Sequence, residues 1–131
     1  MSCFDDSLPA RQSARLAALA DQVQAGGKDR YESLRITFGL LGDKWSIIIL
    51  LILATGELRH ATLRRALDEV LRFERISQRM LTLRLRSFED NAIVERQVSG
   101  DVPPRVTYQL TDKGQRIARE VSRMIGALGD R

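Results

Sequence analysis

"ISQRMLTLRLRSFEDNAIVERQVSGDVPPRVTYQL", Ile76 to Leu110, is the stretch that decides the fold. Its periodicity changes halfway. Up to Phe88 the apolar residues Leu81, Leu85 and Phe88 recur at helical spacing. Ser77 is a residue type that caps a helix start, and Asn91 is one that tolerates a left-handed stop. The spacing therefore predicts a helix over 77–90. From Ile93 to Val98 the chain turns β-branched, and "SGDVPP" (Ser99 to Pro104) is rich in turn formers. Val106, Tyr108 and Leu110 then alternate with Arg105, Thr107 and Gln109, the period of a half-buried strand. A helix followed at once by a hairpin over 93–110 is the second half of a winged helix-turn-helix, with the hairpin as the wing.

The flanks fit that frame. Ser7 and Pro9 suit a helix start, and Leu16, Leu19, Ala20 and Val23 give it a stripe, with Gly26-Gly27-Lys28 as its stop. A short helix over Tyr31 to Leu41 follows. Asp43 can cap a helix over Lys44 to Thr55 that is apolar nearly all round and so central. A fourth helix covers Arg59 to Val70, and "DEVLRFER" (Asp68 to Arg75) leaves a long connection, with room for an extra turn, before Ser77. Thr111 can cap a last helix whose stripe is Ile117, Val121, Met124, Ile125 and Leu128. The expected fold is mainly α with a small β-hairpin: one winged-helix domain over 1–131. Within it, 1–27 is an N-terminal helical arm, 31–110 the winged helix and 111–131 a C-terminal helix. The two terminal helices carry apolar stripes that lack an obvious partner.

Composition narrows the function. The 131 residues are 44% hydrophobic and 29% charged, those of a globular protein able to bury a core without disulfides. The formal charge of +4 is compatible with nucleic acid but weak alone. Aromatics make up only 5%, which argues against a base-stacking single-strand binder. Cys3 is the only cysteine, so no internal disulfide forms, which suits a reducing compartment. The N-terminus does not resemble a signal peptide, and the longest apolar run, Trp45 to Ala54, is well short of the roughly 20 residues of a membrane span. The expectation is a cytoplasmic protein with no membrane partner.

The helix over 77–90 divides by face. At about 100° per residue, Leu81, Leu85 and Phe88 group together, with Met80 and Arg84 toward one edge. Gln78, Arg79, Thr82 and Arg86 group on the other side, and Arg75 would extend them if the helix reached it. Arginine can take the O6/N7 edge of guanine, glutamine the edge of adenine, and threonine can offer its methyl to thymine. The N-terminal part of such a helix sits closest to the bases. Gln78, Arg79 and Thr82 are thus expected as readers and Arg86 as a phosphate contact. The bland reading is a solvated face. Against it, no acid occurs on this face before Glu89 and Asp90, and Arg105 follows Pro103-Pro104 where a wing would meet backbone or minor groove. Leu83, beside the polar face, has no evident role.

With these elements in order, the chain resembles the HxlR family of bacterial transcription regulators, related in fold to the MarR regulators. The resemblance is carried by "LGDKWSIIILLIL" (Leu41 to Leu53), "GELRHATLRRAL" (Gly56 to Leu67), "ISQRMLTLRLRSFEDNAIVER" (Ile76 to Arg96) and "DVPPRVTYQLTDKG" (Asp101 to Gly114), within about Leu34 to Leu128. It implies a homodimer on a pseudo-palindromic double-stranded DNA operator, joined through the N- and C-terminal helices, with recognition helices about 34 Å apart. It also places Ser77, Gln78, Arg79, Thr82 and Arg86 in the recognition helix and Arg105 in the wing. Three positions depart from the family pattern. Aligned on Trp45, Glu32 stands where many members have a sensing cysteine; the 68–75 connection replaces a tight Pro-Gly turn; and His60 stands where phenylalanine is usual.

Nothing else in the sequence points to chemistry. His60, the single histidine, has no second ligand or base beside it in the pattern and reads as structural; Cys3 reads as an ordinary thiol and Trp45 as a core anchor. Lys44 could touch phosphate or nothing. Asp5-Asp6 and Glu89-Asp90 form no acid/base or metal arrangement. No phosphate loop, dinucleotide loop or nucleophile elbow occurs. The expectation is a non-enzyme without metal or cofactor. The competing class is a winged-helix module for protein–protein assembly, which would show an acidic or apolar face on the 77–90 helix. A third reading adds a small-molecule effector at the dimer interface.

Overall fold

The structure, a computed structural model, describes residues 8–72 and 74–129. The expectations for Cys3, Asp5-Asp6 and Ser7 lie outside these residues. The chain divides into two compact units, one ending at Gly39 and one beginning at Leu40.

In the first unit, α1 spans Ala10–Gln22 and α2 spans Lys28–Leu40, its last residue belonging to the second unit. The expected stop at Gly26-Gly27 does not occur. The chain stays helical through a π turn, Val23–Gly27. Glycine is needed there for space: a Cβ on Gly27 would lie 2.2 Å from the Gln22 carbonyl oxygen. Leu19, Tyr31, Leu34, Ile36 and Phe38 are all exposed on this unit.

The second unit is built around α3, Lys44–Leu53, in which Ile49, Leu50 and Leu53 are fully buried. The Asp43 carboxylate caps α3 by accepting from Ser46 N at 2.9 Å, and the Ser46 hydroxyl donates to its other oxygen at 2.8 Å. Ser46 is the one buried polar residue in the described core, so this pair satisfies a hydroxyl that water cannot reach. Asp43→Ala removes the cap and strands that hydroxyl. The expected loss is about 2 kcal/mol, seen as a lower urea midpoint at unchanged slope.

Two residues, Leu58–Arg59, then form β1, followed by α4, His60–Val70, with Leu63 and Leu67 buried. Asp68 to Val70 belong to α4, so the connection to the next helix begins at Leu71. Helix α5 runs Gln78–Asp90 and does not reach Arg75. Ser77 caps it as expected, its Oγ accepting from Met80 N at 3.0 Å. Asn91 does not take the left-handed conformation expected of it: its φ is −104°, and the positive φ, 58°, falls on Ala92. The Asn91 side chain instead donates to Ser87 O at 2.8 Å, which holds Asn91 near the helix and passes the turn to the next residue.

Strands β2, Val94–Val98, and β3, Val106–Leu110, form the predicted hairpin, registered Val94 with Leu110 and Val98 with Val106. β1 adds to the free side of β3, pairing Leu58 with Tyr108, so the sheet is three-stranded in the order β1-β3-β2. Thr111 then caps α6, Asp112–Gly129, its Oγ1 accepting from Gly114 N at 3.0 Å. The expected stripe of α6 splits: Ile117 and Val121 pack on the core, whereas Met124, Ile125 and Leu128 are exposed. Among the described residues no single helix is long and apolar enough to cross a membrane.

Candidate nucleic-acid interface

Helix α5 is fixed by its buried side. Leu81, Leu85 and Phe88 are at most 1% exposed and lock the helix into the core, which determines what its remaining surface presents. Gln78, Arg79 and Arg86 are exposed, and among the described residues no hydrogen bond or ion pair holds their side chains. Three long polar side chains lie free on one arc of about 100°, whose one acid, Glu89, comes in the last turn. Ser77, at the cap, is exposed but uses its oxygen to hold the helix start. Arg84, left outside the set, is half-buried and lies 3.6 Å from the Asp43 carboxylate.

Thr82 is placed differently from the expectation. On the wheel it lies between Gln78 and Arg86, about 60° from Leu85. It is half-buried, its Oγ1 donates to Gln78 O at 2.9 Å, and His60 Nε2 on α4 lies 3.0 Å from the same oxygen. The side that faces away from the core carries Leu83, 50% exposed. The His60 ring also lies 6.4 Å from that of Tyr108 on β3. Burial, then the neighbouring Arg64 charge, lowers its pKa below the ordinary histidine value, which keeps the ring neutral at pH 7.

On the wing, Arg105 is exposed but not free. Its guanidinium donates to Asp101 Oδ2 from Nε at 3.0 Å, and a terminal nitrogen lies 2.8 Å from the same oxygen. Such an exposed pair contributes about 0–1 kcal/mol, so a phosphate can displace the carboxylate at little cost. Arg59 was not anticipated. It sits on β1 opposite Thr107, exposed and without an ion pair among the described residues, and lines a polar cleft with Arg105, Gln97, Ser99, Thr107 and the acid Glu57. The signal was weak because a two-residue strand has no periodicity to read. Lys44 pairs with Glu74, and its ammonium lies 5.7 Å from the Trp45 ring centroid.

A helix-turn-helix pair (α4 and α5) followed by a winged sheet defines the class as winged helix-turn-helix. The sequence pattern of the family described as HxlR-like helix-turn-helix matches residues 40–130, and the chain belongs to that family. Its relatives include an uncharacterized HTH-type transcriptional regulator of Methanothermobacter thermautotrophicus, 38% identical over 70% of this chain and 66% of the relative. The HTH-type transcriptional regulator YodB of Bacillus subtilis is 36% identical over 67% of this chain and 73% of its own length. The reduced form of YodB superposes with a TM-score of 0.59, covering 70% of this chain and 84% of that one. The redox regulator HypR in its oxidized form is 34% identical, with a TM-score of 0.62 over 75% of this chain and 96% of that one. The chain spans just under two thirds of the first of these relatives, and 57% of a second Bacillus subtilis HTH-type regulator, YdeP.

Proposed function

We propose that the protein is a dimeric, sequence-specific DNA-binding transcription regulator that reads a pseudo-palindromic operator. Helix α5 is the recognition helix, with Ser77, Gln78, Arg79, Thr82 and Arg86 facing the DNA, and Arg105 and Arg59 meet the backbone from the wing side. The observation that carries this is the set of unpartnered side chains on α5, Gln78, Arg79 and Arg86, on a face with no acid before Glu89. An assembly module would expose an acidic or apolar face there, and Leu83 and Met80 are too few to make one. The apolar residues left exposed on α6 (Met124, Ile125, Leu128) and on the first unit (Leu19, Tyr31, Leu34, Phe38) support dimerisation through the terminal helices. The reading gives the chain no catalytic, metal or cofactor role, and its place of action is the cytoplasm, with the DNA.

The test is gel retardation on genomic fragments from the source organism across a salt series. The expected result is a subset of fragments retained at moderate salt, with log K falling linearly against log salt because bound cations release counterions. Uniform retention of all fragments, or none at any salt, speaks against sequence-specific binding.

A further inference from the structure

Thr82 and His60 form a small network that the family pattern does not call for. The Thr82 hydroxyl has one proton and two neighbours that can take part: Gln78 O at 2.9 Å and His60 Nε2 at 3.0 Å. The carbonyl can only accept. With the proton on that carbonyl, a neutral His60 ring carrying its hydrogen on Nε2 donates to the same oxygen. With the opposite tautomer the hydroxyl gives its proton to Nε2 instead. In either case the proton stays inside the protein and cannot reach N7, O6 or O4 of a base. What Thr82 retains for a partner is its methyl group and a lone pair that can accept but not donate.

We infer that His60 is a positioning residue that, with the Gln78 carbonyl, holds the Thr82 hydroxyl proton away from the groove, so that Thr82 reads the C5 methyl of a thymine rather than donating to an acceptor edge. This rests on the DNA-binding reading above and names one element of the sequence α5 recognises. The position is specified by chemistry alone: an apolar contact that any base lacking the 5-methyl group fails to make. His60 acts at a distance from the base, through the χ1 rotamer it imposes on Thr82.

The experiment uses an operator fragment recovered by retardation, with each thymine replaced singly by deoxyuridine, which removes only the methyl. Binding is measured for the wild type, Thr82→Ser, His60→Ala and His60→Gln. In the wild type, one thymine in each half-site should lose about fourfold in affinity on replacement, the equivalent of roughly 0.8 kcal/mol for one buried methyl-sized group. That ratio should fall to about one in Thr82→Ser, which keeps the hydroxyl network and lacks the methyl. It should fall toward one in His60→Ala and return in His60→Gln, whose amide can donate in place of the ring. Sensitivity that persists in Thr82→Ser, or that is absent at every thymine in the wild type, overturns the inference. Sensitivity lost in Thr82→Ser but intact in His60→Ala overturns the role of His60. Where no fragment binds at all, it is the DNA-binding reading that fails, and this inference with it.

Discussion

Gly114→Ala should lower the melting temperature by on the order of 10 °C, although alanine is the better helix former. In an open helix the exchange stabilises by about 1 kcal/mol. Here the added Cβ would lie 2.2 Å from the Ile93 carbonyl oxygen and 3.2 Å from Leu110 Cβ. The clash is with backbone, which cannot rotate away. That backbone is also pinned: Ile93 O accepts from Thr111 N at 3.0 Å, and Thr111 Oγ1 donates to Ala92 O at 2.6 Å. Relief requires α6 to move off the end of α5 and to strain these bonds together. Overpacking of this kind costs about 1–3 kcal/mol, and each kcal/mol lowers the midpoint by about 3–6 °C in a chain of this size. Gly126→Ala on the same helix is the control: nothing lies within 4 Å of its Cβ position, so its melting temperature should hold or rise slightly. Equal melting curves for wild type and Gly114→Ala contradict the close packing of α6 on the hairpin.

Gly114 illustrates what could be read from the chain and what could not. Thr111 as a cap, Ser77 as a cap and the hairpin between 93 and 110 were legible because each rests on local rules: a side-chain oxygen reaching a nearby amide, and a period of two. Gly114 reads as an unremarkable third residue of a helix until Ile93 is brought against it by the fold. Strand β1 is the same kind of case. Leu58 and Arg59 have no pattern of their own, and they become a strand because β3 offers them a free edge. The left-handed turn fell on Ala92, not Asn91, because the Asn91 amide found Ser87 O first.

The candidate interface was legible for the same reason that the core was. A stretch from Gln78 to Arg86 without an acid is a local fact, and once Leu81, Leu85 and Phe88 are buried, Arg79 and Arg86 have to be outside, while Gln78 is free because it opens the helix. Thr82 was the exception. Its neighbour His60 lies 22 residues away in sequence, and nothing in the spacing announced that the two would share a hydrogen bond. Glu32, where the resemblance puts a sensing cysteine, is a further difference. Its exposed carboxylate is paired with Arg35, whose hydrogen bonds and charge hold it below the usual carboxylate range. That helix face offers an ion pair where a thiol would be needed, and no oxidation step can be assigned to it.

Arg79→Ala should reduce affinity for the selected operator roughly 30-fold or more while leaving binding to unrelated DNA nearly as it was. A bidentate arginine contact discriminates by about 1–3 kcal/mol, and a two-fold symmetric dimer makes it twice. Arg86→Ala, further along α5, should behave differently. A phosphate contact carries no sequence information, so its loss should weaken all DNA evenly and reduce the salt slope by about one for each half-site. Arg105→Ala should fall between no effect and that of Arg86→Ala, because the Asp101 pair must be exchanged for the phosphate. Arg84→Ala should act on folding and not on binding, since Arg84 is half-buried beside Asp43. Titrations of specific and non-specific fragments at three salt concentrations separate the four variants. If Arg79→Ala and Arg86→Ala both bind the operator as the wild type does, α5 is not the recognition helix. The two arginines differ by seven residues, nearly two turns, and lie on one arc of the helix. A face that reads bases near its start and holds phosphate near its end must lie along the groove with its N-terminus inward, so the contrast between the two variants also fixes the direction in which the helix enters the DNA.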